Sequence, residues 1–199
     1  MLFLAHMGIT LGTAQVLDCA VGRWRSARAR TGELAAGDVA VAQRPASLMS
    51  QIDVRLLLLG SVLPDLIDKP LGQLVFRDTF SNGRIFCHTL LFLVVISLLG
   101  YYIWQRQRRT WLLAIAFGVF MHLLLDEMWH SPHTLLWPFY GWAFPRRSLD
   151  HYWHDIVENL EHNPGTYIPE IIGVVILVWF AVGLVHRKRV HAFLRSGAT

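Results

Sequence analysis

Residues 111–129 read WLLAIAFGVFMHLLLDEMW. The run is greasy enough to enter a bilayer, yet its last third carries His122, Asp126 and Glu127. Ionisable groups in or beside hydrocarbon are costly, so they are kept for a function and are usually paired or metal-bound. The same arrangement recurs along the chain. His6 lies in the moderately apolar run 1–21, Asp65 and Asp68 close the run 54–67, and His88 opens HTLLFLVVISLLGYYIWQ at 88–105. A further run, 169–186, is the cleanest. Apart from 54–67, each approaches the roughly 20 residues that cross a hydrocarbon core of about 30 Å. The run 54–67 reaches only about 20 Å as a helix. It is expected to stop inside the bilayer at Pro64-Asp65, its free backbone groups covered by protein or water. The sequence therefore predicts an all-α fold: one membrane-embedded domain over 1–199, a multi-pass transmembrane bundle of four to five membrane helices.

Composition agrees. The chain is 54% apolar and 16% charged, with mean hydropathy +0.40, whereas water-soluble domains carry close to a quarter charged residues. Cys19 and Cys87 form no disulfide framework or CxxC pair, and Cys87 is expected as a small buried packing residue. The net charge of +4 does not point to nucleic acid, because the arginines cluster at the ends of apolar runs. No cleavable signal peptide is expected, since the first residues lack a basic n-region and an A-x-A site.

The connectors differ in kind. Residues 22–50, rich in Ala, Gly and Arg, read as a polar loop. Residues 105–110 form a basic turn that makes its flanking helices an antiparallel hairpin. Residues 130–168 form a long loop rich in Trp, His and Pro. Within it, 149–162 has helical periodicity, with Leu149, Trp153, Ile156 and Leu160 on one side and His154, Asp155, Glu158 and His162 on the other. That pattern predicts an amphipathic helix lying on the membrane or capping the bundle. If the first span places 23–50 on one side, thirteen of the eighteen Lys and Arg residues fall on that side. By the positive-inside rule that side is cytoplasmic. His6, Asp65, Asp68, His88, His122 and Asp126 then gather at the opposite, exterior or periplasmic face of a cytoplasmic (inner) membrane.

His122 and Asp126 are four residues apart and project from one helix face. Imidazole and carboxylate at that spacing suit a divalent metal, zinc first, with manganese or iron as alternatives. The plainer alternative is a hydrogen bond between two buried polar groups. Asp65 and Asp68 also share a face, and nearby carboxylates repel unless a cation or proton lies between them. Their alternative is a helix-ending turn in which Asp68 pairs with Lys69. His6 and His88 complete the candidate ligands, or else are interfacial histidines. His133 and His154 are further ligand candidates, and His154 and Glu158 repeat the His-x-x-x-acid spacing on what is otherwise a solvated face. Arg84 suits a phosphate, since guanidinium matches its geometry. There is no nucleophile elbow, P-loop or dinucleotide fingerprint, which leaves metal-activated water as the most economical chemistry.

These residues resemble a known family, the YdjM-like, LexA-binding inner-membrane members of the membrane-bound metal-dependent hydrolases. The likeness rests on His6, Gly8 and Thr10, on Gly60-x-x-x-Pro64-Asp65-x-x-Asp68, on Arg84-x-x-x-His88-Thr89 and on Gly118-x-x-x-His122-x-x-x-Asp126. A more distant likeness is to zinc-dependent phospholipase C. It implies His6, Asp65, His88, His122, Asp126, then His130 or His133, then His154 and Glu158 as ligands, and one to three ions. The expected function is hydrolysis of a phosphoester in a lipid or lipid-linked substrate at the outer membrane face. His6, Asp65, His88, His122, Asp126, His133 and His154 would hold metal, and Asp68, Arg84 and Glu158 would act on substrate or water. The alternatives are an amide- or ester-cleaving membrane zinc hydrolase and a non-catalytic, metal-binding regulatory membrane protein. The expected partners are the membrane and the lipid substrate, not nucleic acid.

Overall fold

A computed structural model describes residues 2–30, 49, 52–146 and 152–197, with the side chains of 29–30 and 152–156 outside that description. The described residues are helical and contain no strand. Among the described residues, eight α-helices are taken in chain order: α1 (Phe3–Arg30), α2 (Val54–Pro70), α3 (Leu90–Gln107), α4 (Trp111–Leu125), α5 (Pro132–Leu135), α6 (Tyr152–His162), α7 (Pro164–His186) and α8 (Val190–Ser196). A π-helical turn, Leu71–Val75, continues α2, and a 3-10 turn, Phe86–His88, precedes α3.

Among the described residues, three helices are long and apolar enough to cross a membrane: Phe3–Arg28 of α1, all of α3 and all of α7. With 17 and 15 residues, α2 and α4 reach about 25 and 22 Å. The partition of side chains is the reverse of a water-soluble core. Leu98 of α3 and Val175 and Trp179 of α7 are more than half exposed, while His6, His88, His122 and Asp68 are sealed from solvent. Apolar area of that extent facing water would drive association. Facing lipid tails it is the ordinary exterior, and the polar groups inside are the ones that need explaining.

The closest packing is of α2 against α4 and of α1 against α7, with α3 flanking α4 and α1 meeting α2. Glycine makes the α2–α4 approach possible. A Cβ at Gly118 would collide with the backbone of Leu57, Gly60 and Ser61, and one at Gly60 would collide with Ile115. With no side chain there, the two backbones touch, as small residues allow between membrane helices. Around this contact, Ile115, Val119, Leu123 and Met128 form one apolar cluster with Leu56 and Leu63. Leu11, Ala14, Val54 and Leu57 form another with Ile176 and Phe180.

Several boundaries differ from the sequence reading. The expected loop from residue 22 is helix as far as Arg30. Residues 22–30 are mostly Arg and Ala, strong helix formers that carry α1 on beyond its apolar part. Residues 31–48 lie outside the described residues. The expected break at Pro64 does not occur, and α2 runs through it to Pro70. Proline removes one hydrogen bond in a helix interior, a loss that packed membrane helices tolerate. The run at 111–129 leaves the helix earlier, because Asp126 is the C-cap of α4 and Glu127 turns left-handed at φ 50°. His88 sits in the 3-10 turn ahead of α3, whose N-cap is Thr89. The last span starts at Pro164 behind the Asn163 cap, not at Pro169. The amphipathic helix appears as Tyr152–His162, and residues 149–151 of its expected start lie outside the described residues.

The α2–α4 contact yields a direct test. Gly118→Val should cost about 3 kcal/mol or prevent folding, because the overlap is with backbone. Gly183→Val in α7, where nothing lies within 4 Å, should stay within about 1 kcal/mol of the parent. Thermal unfolding of the detergent-solubilised proteins, followed by size-exclusion fluorescence, measures both.

Candidate metal centre

Helix ends alternate along the chain, and four of them meet. The N-terminal turns of α1 supply His6, and the C-terminal turns of α2 supply Asp65 and Asp68. The turn before α3 supplies His88, and the end of α4 supplies His122 and, at its cap, Asp126. The Gly60–Gly118 contact lies about one helical turn before Asp65 and His122, so it sets the separation of the elements that bear them.

Each imidazole is anchored through Nδ1. His6 Nδ1 lies 2.7 Å from the Leu2 carbonyl, His88 Nδ1 2.7 Å from Asp68 Oδ2, and His122 Nδ1 2.8 Å from the Ser61 carbonyl. All three partners are acceptors, so each Nδ1 carries the proton and donates it. In neutral imidazoles that assignment leaves three Nε2 lone pairs, and the three Nε2 atoms turn inward. His88 Nε2 lies 3.2 Å from His122 Nε2. Asp65 Oδ1 is 3.6 Å from His88 Nε2 and 3.9 Å from His122 Nε2. Asp126 Oδ1 is 3.2 Å from His6 Nε2, and its Oδ2 is 3.9 Å from His88 Nε2. The His6 and His122 rings stack at 4.2 Å. His6 Nε2 is buried and makes no hydrogen bond. Its neighbour, Asp126 Oδ1, is an acceptor, which an imidazolium would bond and a neutral ring protonated at Nδ1 does not.

Acceptors crowded this closely repel unless a cation or a proton lies among them. The spacing suits one, since four ligands about 2.0–2.2 Å from a tetrahedral ion stand about 3.3–3.6 Å apart. Two overlapping sets have ligand atoms within 4.8 Å of one another: His6, His122 and Asp126, and Asp65, His88 and His122. Nitrogen and oxygen donors in these numbers fit zinc, manganese or iron.

Behind the ligands stands a second layer. Asp68 accepts from the backbone N–H of Ile85 at 2.9 Å, of Cys87 at 3.0 Å and of His88 at 3.2 Å, besides the His88 ring. Asp68, expected to act on substrate or water, accepts four hydrogen bonds that fold 85–88 around it and fix the His88 tautomer. Thr89 then caps α3 by accepting from Phe92 N at 3.1 Å. The outer oxygens of the two inward carboxylates meet cations. Lys69 Nζ lies 2.6 Å from Asp65 Oδ2, and an Arg84 nitrogen lies 2.7 Å from Asp126 Oδ2. Lys69 thus pairs with Asp65 at i,i+4, not with Asp68. Arg84 is held in turn by Asn82, whose Oδ1 accepts from Arg84 N while its Nδ2 donates to the Pro145 carbonyl.

Other candidates stay apart. His133 is exposed against the Tyr140 ring, and His130 is exposed beside Glu127. Glu158 is exposed on α6. None of the three joins either ligand set. The reason is placement, since they sit on the segments 128–135 and 152–162 and not on the converging helix ends. The side chain of His154 lies outside the described residues. Cys87 is buried with a free thiol and packs beside the centre without joining it. The sequence reading missed Lys69 and Ser61 as parts of the centre. The first was signalled by its four-residue offset from Asp65, while the second acts through its carbonyl and has no side-chain signal.

Residues 29–191 match the family model described as YdjM inner membrane protein. That stretch holds every centre residue except His6. The description names a location and no chemistry. No curated protein and no solved structure matches the chain.

The division between ligand and support predicts graded losses. Asp68→Asn should weaken metal binding about 10–100-fold by releasing the His88 ring. His133→Ala and Glu158→Gln should leave it within about twofold, as expected of side chains away from the ion. Chelator competition against the purified protein reads all three.

Proposed function

The chain belongs to the YdjM inner membrane protein family, and from the geometry of its centre we propose that it is a membrane-embedded metal-dependent hydrolase acting on a phosphoester of a lipid or lipid-linked substrate. The observation that carries this reading is the convergence of three Nδ1-anchored imidazoles and two carboxylates on one point, with His6 Nε2 buried and unbonded. His88, His122, Asp65, Asp126 and His6 hold the metal. Each Nε2 has a single lone pair, so His122 serves one ion at a time although it belongs to both ligand sets. These five ligands therefore suit one ion, or two with incomplete shells.

A divalent ion there supplies a water acidic enough to act near neutral pH and polarises the scissile oxygen. The residues do the rest. Arg84 and Lys69 keep Asp126 and Asp65 turned inward. Both cations are about a quarter exposed, so part of each donor set faces outward, where a phosphate oxygen can be bound. Charge favours a phosphoester over an amide. Asp65, Asp68 and Asp126 against Lys69 and Arg84 leave one net negative charge, which a dication turns into one net positive charge. A phosphodiester anion neutralises that remainder, and an amide does not.

In this reading α1, α2, α3, α4 and α7 all cross the membrane. The arginine-rich ends lie in the cytoplasm and the metal centre opens at the exterior or periplasmic leaflet. Support comes from the alternation of helix ends and the charge bias of the loops. A site at that depth lets an amphiphile keep its tails in lipid while its head group reaches the metal.

Elemental analysis beside turnover of a fluorogenic phospholipid analogue tests this. The parent protein should retain at least about one equivalent of metal, and His122→Ala and Asp126→Asn should lose it along with more than about 100-fold of the hydrolysis rate. Chelation should abolish hydrolysis and added zinc should restore it, with no cleavage of a lipid amide. Full metal without hydrolysis of any ester or amide would make the protein a non-catalytic metal binder. Absence of metal in the parent would reduce the cluster to a polar core.

A further inference from the structure

The last span, α7, carries one acidic residue, Glu170, and buries it. A carboxylate inside a membrane helix is expensive and calls for a specific partner. Its partners lie on another helix. Glu170 Oε1 accepts from Leu2 N at 2.6 Å and Oε2 accepts from Ala5 N at 3.1 Å. These are first-turn amides of α1, which have no acceptor within their own helix. The carboxylate thus caps α1 from outside, where the helix dipole also favours negative charge.

Leu2 makes a second bond. Its carbonyl accepts from His6 Nδ1 at 2.7 Å. One residue therefore links Glu170 to the imidazole whose Nε2 stands 3.2 Å from Asp126 Oδ1. The register is fixed close by. Gly8 of α1 and Gly173 of α7 meet backbone to backbone, each where an added Cβ would overlap the other helix. That contact lies within about one turn of both His6 and Glu170. Nothing else in α7 faces the centre as a ligand among the described residues.

We infer that Glu170 is a positioning residue of the metal centre, holding the first turn of α1 so that His6 presents Nε2 to the ion. The inference rests on the metal reading above and extends it to a helix that supplies no ligand. It also makes His6 conditional: this ligand precedes the stretch matched by the family model, and a residue within that stretch secures it.

Cobalt(II) loaded into the detergent-purified full chain reports the ligand set through its visible absorption. Glu170→Ala should shift that spectrum to that of His6→Ala and weaken cobalt binding about tenfold or more. Glu170→Gln keeps one acceptor oxygen and should fall between parent and Glu170→Ala. In a His6→Ala background, Glu170→Ala should cause no further loss of affinity, because its effect runs through that ring. An unchanged spectrum and affinity in Glu170→Ala, or an equal loss with and without His6, overturns the inference while leaving the metal reading intact. If Glu170→Ala does not fold, undiminished affinity in Glu170→Gln overturns it. No cobalt bound by the parent overturns both readings.

Discussion

Everything at the centre depends on three outward hydrogen bonds. His6, His88 and His122 each donate Nδ1–H to an oxygen that cannot donate back: a carbonyl, a carboxylate and another carbonyl. The bonds fix the tautomer, and the tautomer decides the charge pattern inside. With the protons outside, three lone pairs and two carboxylates face one another in a sealed space. A polar core built only for packing would alternate donors with acceptors, since buried polar groups are nearly always hydrogen-bonded. This one segregates them, with acceptors inward and donors outward, as metal-ligating histidines do with their outer partners.

Two of the three anchors are backbone carbonyls, and that links the centre to helix packing. Ser61 O reaches His122 only because α2 and α4 touch at Gly60 and Gly118. Leu2 O reaches His6 within the first turns of α1, which lies against α7 at Gly8 and Gly173. The remaining anchor, Asp68, gathers the backbone N–H groups of Ile85, Cys87 and His88. Side-chain chemistry at the centre is thus held largely by main-chain positions, and the glycines flanking the ligand residues are there for distance. The exposed apolar faces of α3 and α7 need no such precision, because lipid accepts any apolar contour.

Much of this was legible in the sequence. Apolar runs marked α1, α3, α4 and α7, and the polar residues at their ends named His6, Asp65, His88, His122 and Asp126 before any geometry. That worked because polar groups in hydrocarbon are rare and therefore informative. The failures share a cause, which is that single-residue signals do not carry partners. Pro64 read as a stop because its local cost is visible and its packed surroundings are not. Asp68 read as a catalytic carboxylate because its spacing from Asp65 does not reveal four donors arriving from a distant turn. His133 and Glu158 repeat ligand-like types and spacings, yet they are exposed and lie outside both ligand sets. Glu170 was visible as an acid in a clean apolar run, but its role depends on the amides of Leu2 and Ala5, more than 160 residues away in sequence.

The loop rich in tryptophan finds its explanation in support, not in ligation. Phe86, two residues before His88, packs edge-on against Trp137 at 5.6 Å and against Phe144 at 5.2 Å. Trp137 and Phe144 stack on each other at 5.5 Å. Phe144 is followed by Pro145, whose carbonyl holds Asn82, and Asn82 holds the backbone of Arg84. The aromatic collar therefore fixes the turn that delivers both His88 and Arg84 to the centre. Trp142, which packs on Trp137 at 5.7 Å, is among the most exposed of the described side chains. Aromatic rings are favoured where hydrocarbon gives way to head groups, and this exposed edge of the collar continues the brace on the turn that bears His88 and Arg84.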